Sequence, residues 1–150
     1  MSTLFYKTGE CVNTIKIGGE QSVHADIPVN QVLQHPKSTD KLIICNRTSI
    51  IHVTDRRGTV LYTFASGKPI EQQDTAFVSI SLSPKGDWLY AIAEDGLLYA
   101  FSISTGKLER TLKATTPGDA QKKLIGLSHH PDINLLTTVD LSGIVKFWKP

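Results

Sequence analysis

The chain has 150 residues, 40% hydrophobic and 20% charged, which is enough for one domain with a sizeable core and excludes a disordered tail. Its formal net charge of +2 comes from scattered residues and does not indicate a nucleic-acid or anionic-membrane binder. The amino terminus lacks the apolar region of a secretory signal, and no run approaches the roughly 18 apolar residues of a membrane span. These features favour a cytosolic or nuclear globular protein.

The chain contains two cysteines, Cys11 and Cys45, both within apolar stretches. Their spacing fits neither a zinc site nor a dense disulfide framework. We therefore expect both residues to be reduced thiols in the core.

The first predicted strand is the segment GECVNTI, within residues 9–17. Gly9 lies 49 positions before Gly58, and Gly58 begins the similar segment GTVLYTF. We expect residues 9–17 to form the outer strand of a sheet that precedes the others.

Residues 29–66 predict one sheet of four antiparallel strands. Its apolar segments are rich in β-branched residues and are separated by short turns, which is the pattern of buried strands joined as hairpins. The segments are VNQVLQHP, KLIICN, SIIHV and TVLYTF.

Residues 77–114 repeat this pattern, and residues 124–150 repeat its first three strands. Each first strand ends at a proline, and these prolines lie 48 and 47 positions apart: Pro36, Pro84 and Pro131. Each third strand ends at an equivalent apolar position: Val53, Phe101 and Trp148.

This recurrence predicts the fold class. A period near 48 with four strands per unit is close to that of β-propeller blades and exceeds that of solenoid repeats. An ordinary β-sandwich, the alternative, would need no recurrence in register. We predict an all-β propeller fragment with few helices and about three four-stranded antiparallel blades in an open arc. The last blade is expected to lack its fourth strand.

The number of blades predicts an incomplete ring. About twelve strands make three blades, whereas closed propellers have about four to eight. We expect either a truncated product of a longer protein or closure by association of copies. The open sheet edges predict poor solubility for residues 1–150 alone.

The segment SLSPKGDWLYAIAEDGLLYAFSISTGK resembles the WD40 family in its Ser-Pro, Asp-Gly and terminal aromatic landmarks. CNRTSII, FSISTGKLERTL, SHHPDINLL and the ending KFWKP together resemble the suppressor-of-mec-and-unc family of spliceosomal WD40 splicing factors. This resemblance implies a nuclear, non-enzymatic scaffold in pre-mRNA splicing, whose partners are a RED-like splicing factor and other spliceosomal proteins. The alternative is a WD40 receptor or adaptor in another assembly, such as a ubiquitin ligase, because a fold does not dictate function.

Two clusters of titratable residues are candidates for a catalytic or metal site. His129 and His130 offer a ligand pair or a general base, but they precede Pro131 at a turn shared by all three units, and adjacent strand residues point to opposite faces. Glu94 and Asp95 offer paired carboxylates, but Asp95-Gly96 fits a tight hairpin turn better. We expect no catalytic residue, no metal site, no cofactor and no small-molecule substrate.

Partner contacts are expected on loops. Arg47, Asp95 and Ser142 lie in equivalent turns that should share one rim of the disc, whereas Arg56 and Arg57 should form a basic spot on the opposite rim. The Arg47 guanidinium suits carboxylates or phosphates. Direct RNA contact is expected to be weak at most, because no aromatic residues are interleaved with these arginines.

Overall fold

The computed structural model describes residues 9–11, 13–17, 27–68, 76–115, 118 and 123–150. These residues form β-strands joined by turns and contain no helix. In particular, none of the described ranges holds a helix long and apolar enough to cross a membrane. The strands are β1 (Val29–Gln34), β2 (Leu42–Asn46), β3 (Ile50–Thr54), β4 (Val60–Ala65), β5 (Phe77–Leu82), β6 (Trp88–Ala93), β7 (Leu97–Ser102), β8 (Leu108–Lys113), β9 (Leu124–His129), β10 (Leu136–Asp140) and β11 (Val145–Trp148).

The strands form three antiparallel sheets that follow the chain order. The first sheet is β1-β2-β3-β4 and the second is β5-β6-β7-β8. The third sheet has three strands, β9, β10 and β11, with β10 in the middle. Each strand pairs with its sequence neighbour, as expected for strands joined by short turns.

The strand registers agree with the repeat deduced from the sequence. The sequence places an equivalent apolar residue near the end of the third strand of each sheet. In the structure this residue pairs with an apolar residue of the second strand. The paired residues are Val53 and Ile43, Phe101 and Leu89, and Trp148 and Leu136. The three sheets are therefore copies of one structural unit.

The second sheet lies between the other two, and alternate residues of β7 face opposite sides. Tyr99 and Phe101 join a buried cluster shared with the first sheet. Leu98 and Ala100 join a second cluster shared with the third sheet. Because every second residue of a strand faces the same side, both faces of the central sheet are apolar and buried.

Aromatic rings concentrate between the first and second sheets. The Phe101 ring centroid lies 5.2 Å from that of Phe64 and 6.1 Å from that of Phe77. Between the second and third sheets, the Oγ of Ser81 accepts a hydrogen bond from the backbone N–H of His129 at 2.9 Å. Within the third sheet, Trp148 Nε1 donates to Thr138 Oγ1 at 2.9 Å.

The structure differs from two expectations about the amino-terminal region. None of the described residues in 9–17 lies in a strand, whereas an outer strand was expected there. Ile15 and Lys16 lie against the β3–β4 turn, where a Cβ added at Gly58 would meet Lys16 O at 3.0 Å and Ile15 Cβ at 3.3 Å. Asn13 Nδ2 donates to the backbone O of Arg56 at 3.5 Å.

The expected core location is wrong for Cys11, whose side chain is exposed in this irregular segment. Cys45 is buried in the core, as expected. Burial raises the pKa of the Cys45 thiol to about 12, because the thiolate would lose its hydration.

Candidate functional site

The turns of the three sheets gather at two opposite ends of the strands. We call the end with turns 47–49, 94–96 and 141–143 the first rim. The opposite end, with turns such as 35–41, 55–59 and 83–87, is the second rim. Arg47, Asp95 and Ser142 thus lie at the first rim, and Arg56 and Arg57 at the second, where an antiparallel path must place them.

One backbone hydrogen bond recurs at the first rim and identifies its equivalent residues. The N–H groups of Arg47, Glu94 and Leu141 each donate to the carbonyl that precedes the first strand of their own sheet. Arg47 is therefore equivalent to Glu94 and Leu141, one position away from Asp95 and Ser142. This offset differs from the sequence-based alignment of the turns.

Arg47 contacts the neighbouring sheet across the first rim. Its guanidinium forms an ion pair of 3.0 Å with Glu94 Oε1, yet 63% of the Arg47 side chain remains exposed. A solvent-exposed pair of this kind contributes about 0 to 1 kcal/mol. The Arg47 guanidinium therefore has further N–H donors for a partner. Replacing Glu94 by a carboxylate of that partner would cost little free energy.

Asp95 is the centre of a polar network between the first two sheets. Its Oδ2 accepts a 2.6 Å hydrogen bond from the Tyr99 hydroxyl and a 2.7 Å contact from Lys68 Nζ. Its Oδ1 accepts the backbone N–H of Leu97 at 2.9 Å. Only 11% of the Asp95 side chain is exposed, so these bonds account for most of its accepting capacity.

This network affects the pKa of the Tyr99 hydroxyl. Burial raises the pKa of the Tyr99 hydroxyl, and the hydrogen bond to Asp95 and its negative charge add to the increase. The neutral phenol is thus the form that the fold stabilises.

Ser142 has a local structural contact. Its Oγ donates to Asp140 Oδ1 at 2.6 Å, and the same oxygen accepts the backbone N–H groups of Ser142 and Ile144. Asp140 therefore stabilises this hairpin turn through its side chain. Ser142 itself is exposed at the first rim.

At the second rim, Arg56 is tied to its own sheet whereas the Arg57 side chain is exposed. Arg56 Nε donates to the backbone O of Thr39 at 2.9 Å and lies 3.7 Å from Asp40 Oδ1. The backbone N–H of Arg57 is held by Asp55 Oδ1 at 2.8 Å. Backbone hydrogen bonds from Thr59 and Arg57 lower the pKa of Asp55.

The histidine cluster belongs to a repeated turn. His130 Nδ1 accepts the backbone N–H groups of Asp132 and Ile133 at 3.1 and 3.2 Å, and His35 Nδ1 accepts that of Lys37 at 3.1 Å. In the second sheet, Ser83 Oγ has the same role for the N–H groups after Pro84. The described residues contain no group of three or more His, Cys, Asp or Glu that could hold a metal ion.

Sequence reasoning missed the partners that pair with two of its candidates. Glu94 is a candidate catalytic carboxylate in the sequence but pairs with Arg47 in the structure, and nothing local in the sequence indicates that Lys68 pairs with Asp95. Both pairs join residues of adjacent sheets at distances in sequence of 47 and 27. The only available signal was opposite charge at one rim.

Comparison with known structures shows that the stacked sheets are an open part of a β-propeller. The chain matches the crystal structure of the Myceliophthora thermophila Cps50 (Swd1) β-propeller domain with a TM-score of 0.63 and 15% sequence identity. The match covers 81% of this chain and 38% of that domain. No protein-family model matches the chain.

The sequence of one relative identifies the family of propellers to which the chain belongs. The chain is 31% identical over 143 residues to the WD40 repeat-containing protein smu1 of Dictyostelium discoideum. This alignment covers 95% of the chain and 25% of the relative, so the chain spans about a quarter of that protein. The chain belongs to the WD40-repeat family, and the resemblance inferred from its sequence is confirmed.

Proposed function

We propose that the chain is part of a non-enzymatic protein-interaction scaffold that acts in pre-mRNA splicing in the nucleus. The observation that carries this proposal is the 31% identity with smu1 over 95% of the chain. The sequence likeness to the suppressor-of-mec-and-unc splicing factors supplies the process. Its partners would be a RED-like splicing factor and other spliceosomal proteins.

The stacked sheets suit this role because they form a rigid frame. Their polar turns lie at the two rims, and binding residues are commonly found on such loops. Arg47 and Arg57 are the strongest candidates for partner contact, because an arginine side chain pairs with carboxylates in a planar geometry. We assign Asp95 and Ser142 a supporting role at the first rim, and Arg56 one at the second.

Affinity purification of the protein that contains this chain tests the proposal. We expect spliceosomal proteins to be enriched, and a fluorescent fusion to accumulate in the nucleus. Enrichment of ubiquitin-ligase subunits instead, without splicing proteins, would contradict the splicing role and favour the adaptor alternative.

Charge reversal at each rim tests which rim contacts the partners. We expect Arg47→Glu to reduce partner recovery through the first rim and Arg57→Glu to do so through the second. Lys107→Glu, at an exposed turn that does not include either arginine, is the control for the change in net charge. Equal recovery with all three variants would exclude both arginines as contacts.

A further inference from the structure

A cavity of about 480 Å³ lies at the second rim, between the second and third sheets. Its lining includes Trp88 at the start of β6, Tyr90 two residues later and Leu112 on β8, with Pro150 closing one side. This volume is within the range of about 300 to 1,000 Å³ that is typical of ligand pockets.

Aromatic groups form the floor and the mouth of this cavity. The imidazole of His129 stacks on Tyr90 with ring centroids 5.5 Å apart and 27° between the planes. Trp88 is 39% exposed, so part of its ring remains available at the mouth. Burial raises the pKa of the Tyr90 hydroxyl.

The charges around the cavity are unbalanced. Asp87 already pairs with Lys37 of the first sheet at 2.8 Å. Lys85 and Arg110 also line the cavity, and neither has an ion-pair partner among the described residues. The hydrogen bond from Lys37 and the positive charges of Lys37 and Lys85 lower the pKa of Asp87, so Asp87 partly balances Lys85. The cavity therefore offers one unpaired guanidinium, that of Arg110, and one partly balanced ammonium beside an apolar floor.

The equivalent cavity between the first and second sheets provides an internal comparison. It is lined by Tyr62 and Ile103, which lie 48 and 47 positions before Arg110 and Pro150. There the ammonium of Lys41 already lies over the Tyr62 ring, 5.7 Å from its centroid. In that cavity the Lys41 cation and the Tyr62 ring contact each other. In the cavity between the second and third sheets, Arg110 and Trp88 remain available to a ligand.

We propose that the cavity between the second and third sheets binds an acidic segment of a partner protein that carries one aromatic side chain. The aromatic ring enters beside Trp88 and above Tyr90, while flanking carboxylates pair with Arg110 and Lys85. Trp, Tyr and Arg are the residue types that most often dominate binding energy at interfaces. The inference rests on the proposed scaffold role and specifies the chemistry of a partner.

A peptide fits this site better than single-stranded RNA. RNA-binding grooves place several aromatic rings along a continuous basic track, one for each successive base. Here a single exposed ring, Trp88, stands beside two cations. Such a site matches one aromatic anchor and its immediate neighbours.

The direct test measures binding of the fluorescein-labelled peptide GEDYEEG to the protein that contains this chain by fluorescence anisotropy. We expect saturable binding that weakens as salt rises. Replacing the tyrosine of the peptide by serine, or its acidic residues by their amides, should weaken binding about tenfold in each case. Equal binding of all three peptides would overturn the proposal.

Two variants of the chain are matched in charge. Arg110→Glu should weaken peptide binding about tenfold. Lys113→Glu makes the same change in net charge on the same exposed strand, but residue 113 does not line the cavity, so we expect less than about a twofold effect. Equal effects of the two variants would attribute binding to net charge and contradict the proposed site.

Trp88→Phe and Trp88→Ala test the aromatic contact. Phenylalanine should retain most of the binding and alanine should weaken it about tenfold. Thermal unfolding of each variant identifies loss of folding. If alanine fails to fold, the comparison of Arg110→Glu with Lys113→Glu still tests the proposed site.

Other occupants give different results. If a second copy of the chain fills the cavity, Trp88→Ala will reduce self-association in sedimentation and the peptide will not bind. If an oligouridine probe binds with the same sensitivity to Arg110→Glu and the peptide does not, the partner is RNA. Either result overturns the peptide proposal.

This test is independent of the splicing assignment. Peptide binding without splicing proteins in the affinity purification would contradict the splicing role and leave the cavity proposal intact. Splicing proteins recovered equally by Arg110→Glu and by the unmodified protein, with no peptide binding, would contradict the cavity proposal alone.

Discussion

Removal of the Asp95 carboxylate should destabilise the chain far more than removal of its neighbour Glu94. Asp95→Ala leaves the Tyr99 hydroxyl without its acceptor and Lys68 without its ion pair. A hydrogen bond to a charged group contributes about 1.5 to 3 kcal/mol. The Lys68–Asp95 pair is partly buried, so it contributes at least the roughly 0 to 1 kcal/mol of an exposed pair. We expect a loss of about 3 kcal/mol in the free energy of unfolding.

Glu94→Ala is the matched control, because it removes a carboxylate from the same turn. Its partner Arg47 is mostly exposed, so the expected loss is about 0.5 kcal/mol. Urea unfolding at neutral pH, followed by tryptophan fluorescence, gives both values if the slopes with urea are equal.

A double-mutant cycle tests the reasoning at the Tyr99 hydroxyl. Tyr99→Phe should cost less in the Asp95→Ala background than in the unmodified chain, because the hydroxyl has already lost its acceptor. We expect a coupling free energy of about 1 to 2 kcal/mol. A coupling near zero, or equal losses for Asp95→Ala and Glu94→Ala, would refute the assignment of Asp95 as a structural anchor.

Three further results are expected. In urea titrations, Gly86→Ala should lower the free energy of unfolding by about 1 to 2 kcal/mol more than Gly106→Ala. Both glycines have positive φ, but an added Cβ at Gly86 meets Pro36 Cγ at 2.6 Å. Equal losses would contradict that contact. A thiol reagent should label Cys11 alone in the folded chain and both cysteines in urea, and rapid labelling of folded Cys45 would contradict its burial. Burial raises the pKa of Cys45 to about 12 from 9.0 for a free thiol, so its stabilising contribution is present below pH 9 and falls as the pH rises toward 12. Cys45→Ala should therefore reduce the loss of unfolding free energy at alkaline pH by at most about 1.4 kcal/mol per pH unit. Parallel pH profiles of the variant and the unmodified chain would contradict this.

The repeated turn after each first strand could be predicted from the sequence because its chemistry is local. Pro36, Pro84 and Pro131 recur at a nearly constant spacing, and the residue before each proline accepts nearby backbone N–H groups. The assignment of His130 to this turn, rather than to a metal site, needed only neighbours within a few positions.

The equivalence of Arg47 with Glu94 could not be predicted from neighbouring residues alone. The turns of the second and third sheets contain Gly96 and Gly143 with positive φ, whereas the described turn of the first sheet contains no glycine. Without that landmark the sequence alignment was displaced by one residue. Only the recurring backbone hydrogen bond established that Arg47 is equivalent to Glu94.

From residue 29 onward the sequence by itself determined the strands, their order and their repetition, because apolar alternation and turn residues act over a few neighbouring positions. The tertiary structure decided which side chains meet between sheets. It placed Lys68 on Asp95 and His129 on Tyr90, and it left Arg110 beside a cavity. These contacts depend on how two sheets stack, and a displacement of one residue would exchange the inward and outward faces of a strand.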